Sequence, residues 1–331
     1  MALNWGIIGT GNICVEFIKA LQYLPDKEHQ VKAVAGIEKE QAGNLALKYG
    51  IPIAYESCED LVKDESIDVI YVGSLSAEHY SMCKLVLTNK KHLLCEKPSC
   101  FKFRETEELI RMAKQYAVFY MEAVWSRCFP VYDELLRLLS SNSIGKLIYL
   151  KADFGVPIGY LDPLTGKITA GGTLFDLGVY TLQFAMLVFG KKPCSMVATA
   201  HVNENGVDES INYIIKYDDG KTANMCTHSR IQMENSAVVY GSDGHIKIKD
   251  PFWAPTVISV NDGEEKIFPL PTIPGETCMT HSEGLVYEAM EVRDCIMKGL
   301  LESSKMTHDD TLTIAEWQDK ICKMNKIKPC Y

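Results

Sequence analysis

The run Trp5-Gly6-Ile7-Ile8, followed at once by Gly9-Thr10-Gly11-Asn12-Ile13-Cys14 and then by helical periodicity as far as Leu24, constrains this chain most. An apolar strand, a glycine-rich turn and a helix in that order open a βαβ unit, because a crossover must carry the chain back to lie parallel beside its first strand. Gly9 permits the tight turn, and Gly11 lets backbone approach a pyrophosphate. Asn12 and Ile13 open the helix, whose N-terminus offers free N–H groups and a positive dipole to an anion. Gly9, Gly11, Asn12 and Ile13 are therefore candidate dinucleotide contacts. Cys14 stands where a third glycine is expected, and cysteine is small enough for close helix–strand packing.

Further along, short apolar runs at 5–8, 31–37, 69–72, 92–95 and 118–121 alternate with helical patterns such as 41–49 and 105–116. That periodicity predicts a parallel sheet. After Pro130 the texture changes to longer alternating strands at 147–154, 211–217, 223–230, 237–240 and 246–249. Hairpin-type turns stand at Asp218-Asp219-Gly220 and Gly241-Ser242-Asp243-Gly244. A helix predicted over 175–189 stops at Gly190 with Pro193 beyond it, and helices near 283–298 and 311–323 close the chain. The expected architecture is an α/β Rossmann domain with a parallel sheet over 1–124. An α+β domain with a large, mostly antiparallel open sheet follows over 125–331. With 331 residues, 47% of them hydrophobic, the chain can fill both cores.

A net charge of −9, with no Lys and Arg block beyond pairs such as Lys191-Lys192, sets nucleic acid and anionic membranes aside and points to small-molecule partners. No apolar stretch reaches spanning length, and the N-terminus lacks the basic region of a secretory signal. The 12 cysteines, without a C-x-x-C pair, read as reduced thiols, so a cytoplasmic location is expected. The eight histidines do not cluster at metal-ligand spacing, so no metal is expected. Asp153-Phe154-Gly155 spells a kinase tripeptide, but no H-R-D loop or Walker lysine accompanies it.

Cys95-Glu96-Lys97-Pro98 closes the apolar run His92-Leu93-Leu94. Ligands bind at the carboxyl ends of parallel strands and a lysine is costly to bury, so Lys97 suits an amine facing a cofactor. The plainer reading is a strand that simply ends before proline. Asp176 and Tyr180, four apart at a helix start, share a face. By themselves they read as a first-turn carboxylate and an amphipathic tyrosine. With Lys97 they form a proton-transfer set. Hydride transfer to a nicotinamide requires that the alcohol proton leave, and a tyrosine with a pKa of about 10 needs a nearby cation to accept it at neutral pH. Tyr180 is then the acid/base, Lys97 its tuner and substrate anchor, and Asp176 a hydrogen-bond partner. At the end of the second strand, Glu38 would accept from ribose hydroxyls whereas Lys39 would hold a 2′-phosphate, which leaves NAD and NADP both open.

Together these residues resemble the glucose-fructose oxidoreductase / inositol dehydrogenase family, over essentially the whole chain. The likeness rests on the N-terminal fingerprint, Glu96-Lys97-Pro98, and the D-x-x-x-Y spacing of Asp176 and Tyr180. Tyr180, Met1-Ala2-Leu3, Glu122-Ala123-Val124-Trp125-Ser126-Arg127 and Phe268-Pro269-Leu270-Pro271 are similar to one branch of it. The resemblance implies oxidation of trans-dihydrodiols of aromatic hydrocarbons to catechols, and of D-xylose to its lactone, with NADP. It implies Tyr71, His79, Glu96, Lys97 and Asp176 around the coenzyme, Tyr180 at the substrate alcohol, an apolar wall of Trp125 and Phe154, and a homodimer through the second-domain sheet. Ile37 stands where that branch carries an arginine for the 2′-phosphate, so NAD stays open, and Ser76 stands where it usually carries a second histidine, a departure that bears on substrate handling. The same residues serve a sugar or carbonyl reductase running in the opposite direction. Their loss would point instead to a non-catalytic nucleotide-binding regulator. A cis Lys97–Pro98 bond is also expected.

Overall fold

A computed structural model describes residues 2–36, 39–158 and 171–328. Strand β1 (Leu3–Ile8) is buried at Trp5, Ile7 and Ile8, alternation giving way to burial on both faces as in a sheet covered on both sides. The strands β2 (His29–Ala35), β3 (Ile53–Tyr55), β4 (Val69–Val72), β5 (His92–Glu96) and β6 (Tyr120–Ala123) join it. Helices α1 (Asn12–Tyr23), α2 (Lys39–Tyr49), α3 (Cys58–Lys63), α4 (His79–Thr88) and α5 (Phe103–Tyr116) intervene. The order is β3-β2-β1-β4-β5-β6, with every pairing parallel. Strand order reverses between β1 and β4, and a parallel sheet opens a crevice at such a switch point. Ile8 pairs with both Ala35 and Val72, so three strands end level beneath it. Strand β6 begins two residues later than its apolar run predicted. Ala117 caps α5 at φ 54°, and the Val118 N–H still bonds the helix carbonyl of Ala113.

The second sheet contains β7 (Leu147–Gly155), β8 (Ser195–Val202), β9 (Asp208–Lys216), β10 (Thr222–His228), β11 (Ala237–Gly241), β12 (Gly244–Ile248), β13 (Val257–Val260) and β14 (Lys266–Ile267). Its order is β14-β13-β12-β11-β7-β10-β9-β8, antiparallel throughout except for β7 with β10. The mostly antiparallel open sheet expected from the alternating strands is present. Helix α6 (Pro130–Ser140) precedes it in sequence. The helix expected over 175–189 is two helices, α7 (Thr173–Asp176) and α8 (Gly178–Phe189), divided at Leu177. The Gly178 carbonyl accepts from the hydroxyls of Thr181 at 3.0 Å and Tyr213 at 3.5 Å, side-chain partners that fix the join. Helix α8 lies on β7 and β10, against inward residues such as Ala152, Phe154, Ala223 and Met225.

Helices α9 (Leu285–Met297) and α10 (His308–Asn325) complete the described elements. Two compact units result. One runs to Trp125 and includes Leu270–Thr311, and the other holds Ser126–Pro269 and the chain from Leu312. The expected 1–124 and 125–331 segments are continuous in sequence, whereas these units are not. Within the first unit α9 packs on α1, and Arg293 donates to the Glu28 carbonyl at 3.1 Å, which draws the late segment back to the nucleotide-type sheet.

Candidate active site

At the head of α1 the extended Gly11 (φ −72°) precedes the helix, and no side chain caps its first turn. The leading N–H groups of such a turn have no partner within the helix. Gly9 has φ +121°, and a Cβ there would lie 2.7 Å from the Gly73 carbonyl oxygen and 2.9 Å from Cys14 Sγ, so only glycine fits. Gly11 is the opposite case, since a Cβ there would meet nothing within 4 Å. It faces a crevice of about 420 Å³, lined also by Gly9, Thr10, Ile13, Gly36, Gln41, Gly73 and Ser74. A cradle that a Cβ would fill, at an uncapped helix start, fits the pyrophosphate of a dinucleotide. The Thr10 hydroxyl bonds Gln41 Oε1 at 2.9 Å across one end. Ile37 and Glu38, the residues expected to choose between NAD and NADP, lie outside the described residues.

Cys14 fills the third-glycine place because the opposing position is itself glycine. Its thiol donates to the Gly73 carbonyl at 3.3 Å, and a Cβ on Gly73 would come within 2.6 Å of the sulfur. Burial first, and the charge of Glu96 second, push that thiol far above its ordinary range.

Strand β5 delivers Glu96 and Lys97, and the Lys97–Pro98 bond is cis, as expected. The Glu96 carboxylate accepts from the Tyr71 hydroxyl at 2.7 Å and from the Lys97 backbone N–H at 3.1 Å. Tyr71 is fully buried with its ring stacked on Phe17 at 4.0 Å, so Tyr71 and Glu96 form an interior pair and do not line the crevice. His79, buried at the start of α4, bonds the Pro98 carbonyl at 2.8 Å through Nδ1 and the Ser74 carbonyl at 3.1 Å through Nε2. Burial acts to lower its imidazole, but Cys95 and the two carbonyls outweigh it, and the ring is held above its ordinary value. The histidine thus ties the residue after Lys97 to the crevice wall. Beside this pair lies Glu122, whose Oε1 accepts from the Ser99 N–H at 2.8 Å. Burial raises its carboxyl to about 7, with Glu96 adding to the rise, while Ser99, Thr311 and Lys97 oppose it. Trp125 is buried at the end of this unit.

In the second unit Asp176 closes α7 and Tyr180 stands in the first turn of α8. The Tyr180 ring lies 5.7 Å from that of Phe154, tilted by 52°. Phe154 in turn stacks on Trp253 at 3.6 Å and 10°. Tyr180, Phe154 and Trp253 therefore form one continuous aromatic wall. Trp253 carries no sequence signal of this role beyond the aromatic pair Phe252-Trp253. Its loop is pinned by the Ser126 hydroxyl on the Trp253 carbonyl and by the Tyr132 hydroxyl on the Phe252 carbonyl at 3.3 Å. Under α8, the buried Arg127 guanidinium donates to the Gln183 side chain and, at 3.0 Å, to the Gln183 carbonyl. Gln183 donates onward to the Tyr132 oxygen at 2.9 Å. The structure thus brings Phe154, Tyr180 and Asp176 into one unit, and Gly9, Gly11, Asn12, Ile13, Tyr71, His79, Glu96, Lys97 and Trp125 into the other.

Among the described residues no three His, Cys, Asp or Glu side chains are grouped to hold a metal ion, and no helix is long and apolar enough to cross a membrane. Residues 3–124 match a family described as "Oxidoreductase family, NAD-binding Rossmann fold", and residues 132–247 match the "GFO/IDH/MocA C-terminal domain". A trans-1,2-dihydrobenzene-1,2-diol dehydrogenase from Xenopus tropicalis is 40% identical over 321 residues, 97% of this chain and 97% of its own length. Among solved structures, the 3-ketoreductase KijD10 from Actinomadura kijaniata, in complex with NADP and TDP-benzene, is 21% identical with a TM-score of 0.83 over 98% of each chain. Levoglucosan dehydrogenase in complex with NADH and levoglucosan is 16% identical with a TM-score of 0.84, again over 98% of each. At those identities the two structures establish the fold.

Proposed function

Because this chain belongs to the GFO/IDH/MocA oxidoreductase family, we propose that it oxidises trans-dihydrodiols of aromatic hydrocarbons, and aldoses such as D-xylose, with Tyr180 as acid/base. The observation that carries this reading is the stack of Phe154 on Trp253 beside the Tyr180 ring. A flat aromatic surface next to a phenol suits a ring that carries vicinal hydroxyls. The dihydrodiol dehydrogenase activity of the Xenopus tropicalis relative supports the same substrate class.

NADP, when bound, supplies the hydride acceptor; its presence in KijD10 favours it, and the NADH of levoglucosan dehydrogenase keeps NAD as the alternative. Gly11 and the first turn of α1 would hold its pyrophosphate. Tyr180 takes the alcohol proton as the C–H bond breaks. Bringing a phenol from a pKa of about 10 to neutrality requires about 4 kcal/mol of phenolate stabilisation. A cation close to the phenolate supplies stabilisation of that order. The proposal assigns that charge to Lys97 and assigns Asp176 the hydrogen bond that orients the reacting groups. His79 and the Tyr71–Glu96 pair hold the chain around Lys97 in place, and Trp125 and Phe154 are each assigned to the substrate's apolar part.

Substrate handling and dimerisation are assigned to the second unit, whose outward sheet face carries Tyr149, Val197, Ile214 and Tyr240 as a homodimer surface. The cysteines among the described residues are free thiols, in keeping with a cytoplasmic setting. The test is a spectroscopic screen of NADP and NAD against a trans-cyclohexenediol, D-xylose and glucose. Nicotinamide reduction with the diol and D-xylose is expected. Tight coenzyme binding without turnover on any of the three would leave a nucleotide-binding regulator in its place.

A further inference from the structure

We propose that Asp208, the first residue of β9, is a positioning residue for proton transfer that sets the start of the helix pair carrying Asp176 and Tyr180. The inference rests on the role assigned to Tyr180 and goes beyond it to a residue remote in sequence.

Asp208 opens β9 and is completely buried. Its Oδ2 accepts from the Thr173 hydroxyl at 2.6 Å and from the Leu174 N–H at 2.8 Å. These are the first two residues of α7. A helix start is ordinarily capped by the side chain of the residue just before it. Here that residue is Gly172, at φ +86°, with no side chain to offer, and a Cβ on it would lie 2.1 Å from Asp208 Oδ1. The carboxylate therefore occupies the place of the missing cap, delivered from another element. The Thr227 hydroxyl on β10 donates to Thr173 Oγ1 at 3.0 Å and completes a polar chain across the inner face.

From this cap the backbone runs directly to the reacting residues. Asp176 N–H bonds the Gly172 carbonyl at 3.1 Å, and Leu177 N–H bonds the Thr173 carbonyl at 2.9 Å. Tyr180 N–H bonds the Leu177 carbonyl at 3.1 Å. Two backbone hydrogen bonds thus separate Thr173, which Asp208 holds, from Tyr180. A fully buried carboxylate is costly, and its Oδ1 has no hydrogen-bond partner among the described residues.

Burial raises the Asp208 carboxyl to about 6, against the lowering pull of Thr173 and Leu174. The titratable groups that interact with it are Tyr213 on its own strand and Cys322 on α10, both raised chiefly by burial; Asp208 adds to both, after Cys226 of β10 in the case of Tyr213 and ahead of Asp319 in that of Cys322. Thr173 on α7 and Thr227 on β10 do not titrate. Asp208 is accordingly ionised at neutral pH and loses its charge as the pH falls through about 6.

The test compares wild type, Asp208→Asn, Asp208→Ala and Tyr180→Phe for kcat, KM and coenzyme affinity from about pH 5 to 8, with thermal melts alongside. Asparagine keeps the acceptor for Leu174 and Thr173 but cannot ionise. Wild-type kcat is expected to step down by about two- to fivefold with a midpoint near 6, and D208N should sit at the lower level throughout, without the step. D208A should lose kcat by about tenfold or more, with coenzyme affinity within about twofold of wild type. The inference is overturned if D208N retains the step or matches wild type at neutral pH. If D208A fails to fold, the D208N profile decides alone. Tyr180→Phe separates the two claims: its loss of turnover alongside an unaffected D208N sinks only Asp208, whereas retained turnover in Y180F removes the assignment on which this rests.

Discussion

Gly11→Val separates coenzyme binding from folding more cleanly than any other change in the first unit. Gly11 has an extended backbone that every L-residue adopts, and a Cβ there meets nothing within 4 Å, so the fold accepts a side chain. Losing a glycine at a helix N-cap costs about 0.5–1 kcal/mol, which shifts a melting midpoint by about 1–2 °C in a chain of this size. The added isopropyl group projects into the crevice where a pyrophosphate would lie. If it removes two backbone N–H bonds to a charged oxygen, each worth about 1.5–3 kcal/mol, affinity falls by about two to four powers of ten. Gly9→Ala should do the reverse. Its φ of +121° and a Cβ 2.7 Å from the Gly73 carbonyl leave nowhere to relax cheaply. A loss of about 3 kcal/mol or more in stability is expected there. Titration calorimetry with NADP and urea unfolding measure the two quantities on the same samples. Gly11→Val binding NADP within about threefold of wild type would refute the pyrophosphate cradle.

Three further outcomes follow from the site. Glu122 has a folded-state pKa near 7 against an ordinary 4.5, so the native state holds its proton more tightly and stability falls as pH rises from about 4.5 through about 7. The 2.5-unit difference corresponds to about 3 kcal/mol, and Glu122→Gln, which keeps an acceptor for the Ser99 N–H, should remove that slope in urea unfolding at pH about 5 and about 8. An unchanged slope would mean that Glu122 is ionised in the native state. Trp253→Ala removes the face of the Phe154 stack and should lower kcat/KM for an aromatic-derived diol by about tenfold or more, while changing D-xylose turnover by less than about threefold. Equal losses on both substrates would assign Trp253 a purely structural role. Light scattering across a concentration series should give a dimer, and Ile214→Asp on the outward sheet face should shift it toward monomer; a concentration-independent monomer would remove the proposed surface.

Local features of this fold were legible in the sequence because their physics is local. The glycine turn, the βαβ alternation, the switch to alternating strands and the Gly190 stop depend on residues within a few positions of one another. What escaped notice depends on distant partners. Cys14 is accommodated by Gly73, 59 residues away, and only the packed structure joins them. Strand β8, at one edge of the sheet, carries no buried residue, and the small alanines on its half-buried face of Met196, Ala198, Ala200 and Val202, with Val197 on the other face, leave its alternation weak. The break at Leu177 accompanies hydroxyl contacts from Tyr213 on β9 and Thr181 on α8. Trp253 gains its meaning only from stacking on Phe154, about a hundred residues earlier in the chain. The discontinuous first unit arises because α9 packs on α1, a long-range choice that no change of period announces.

Turnover by Tyr180→Phe, with NADP and a trans-cyclohexenediol, tests the central claim most directly. Removing one hydroxyl from a buried ring leaves its packing against Phe154 intact, so coenzyme affinity should hold and the melting temperature should move by no more than about 2 °C, the loss of about one hydrogen bond. Loss of an acid/base group predicts a fall in kcat of about a hundredfold or more. A kcat within about threefold of wild type would contradict the account, because the proton would then leave by another route.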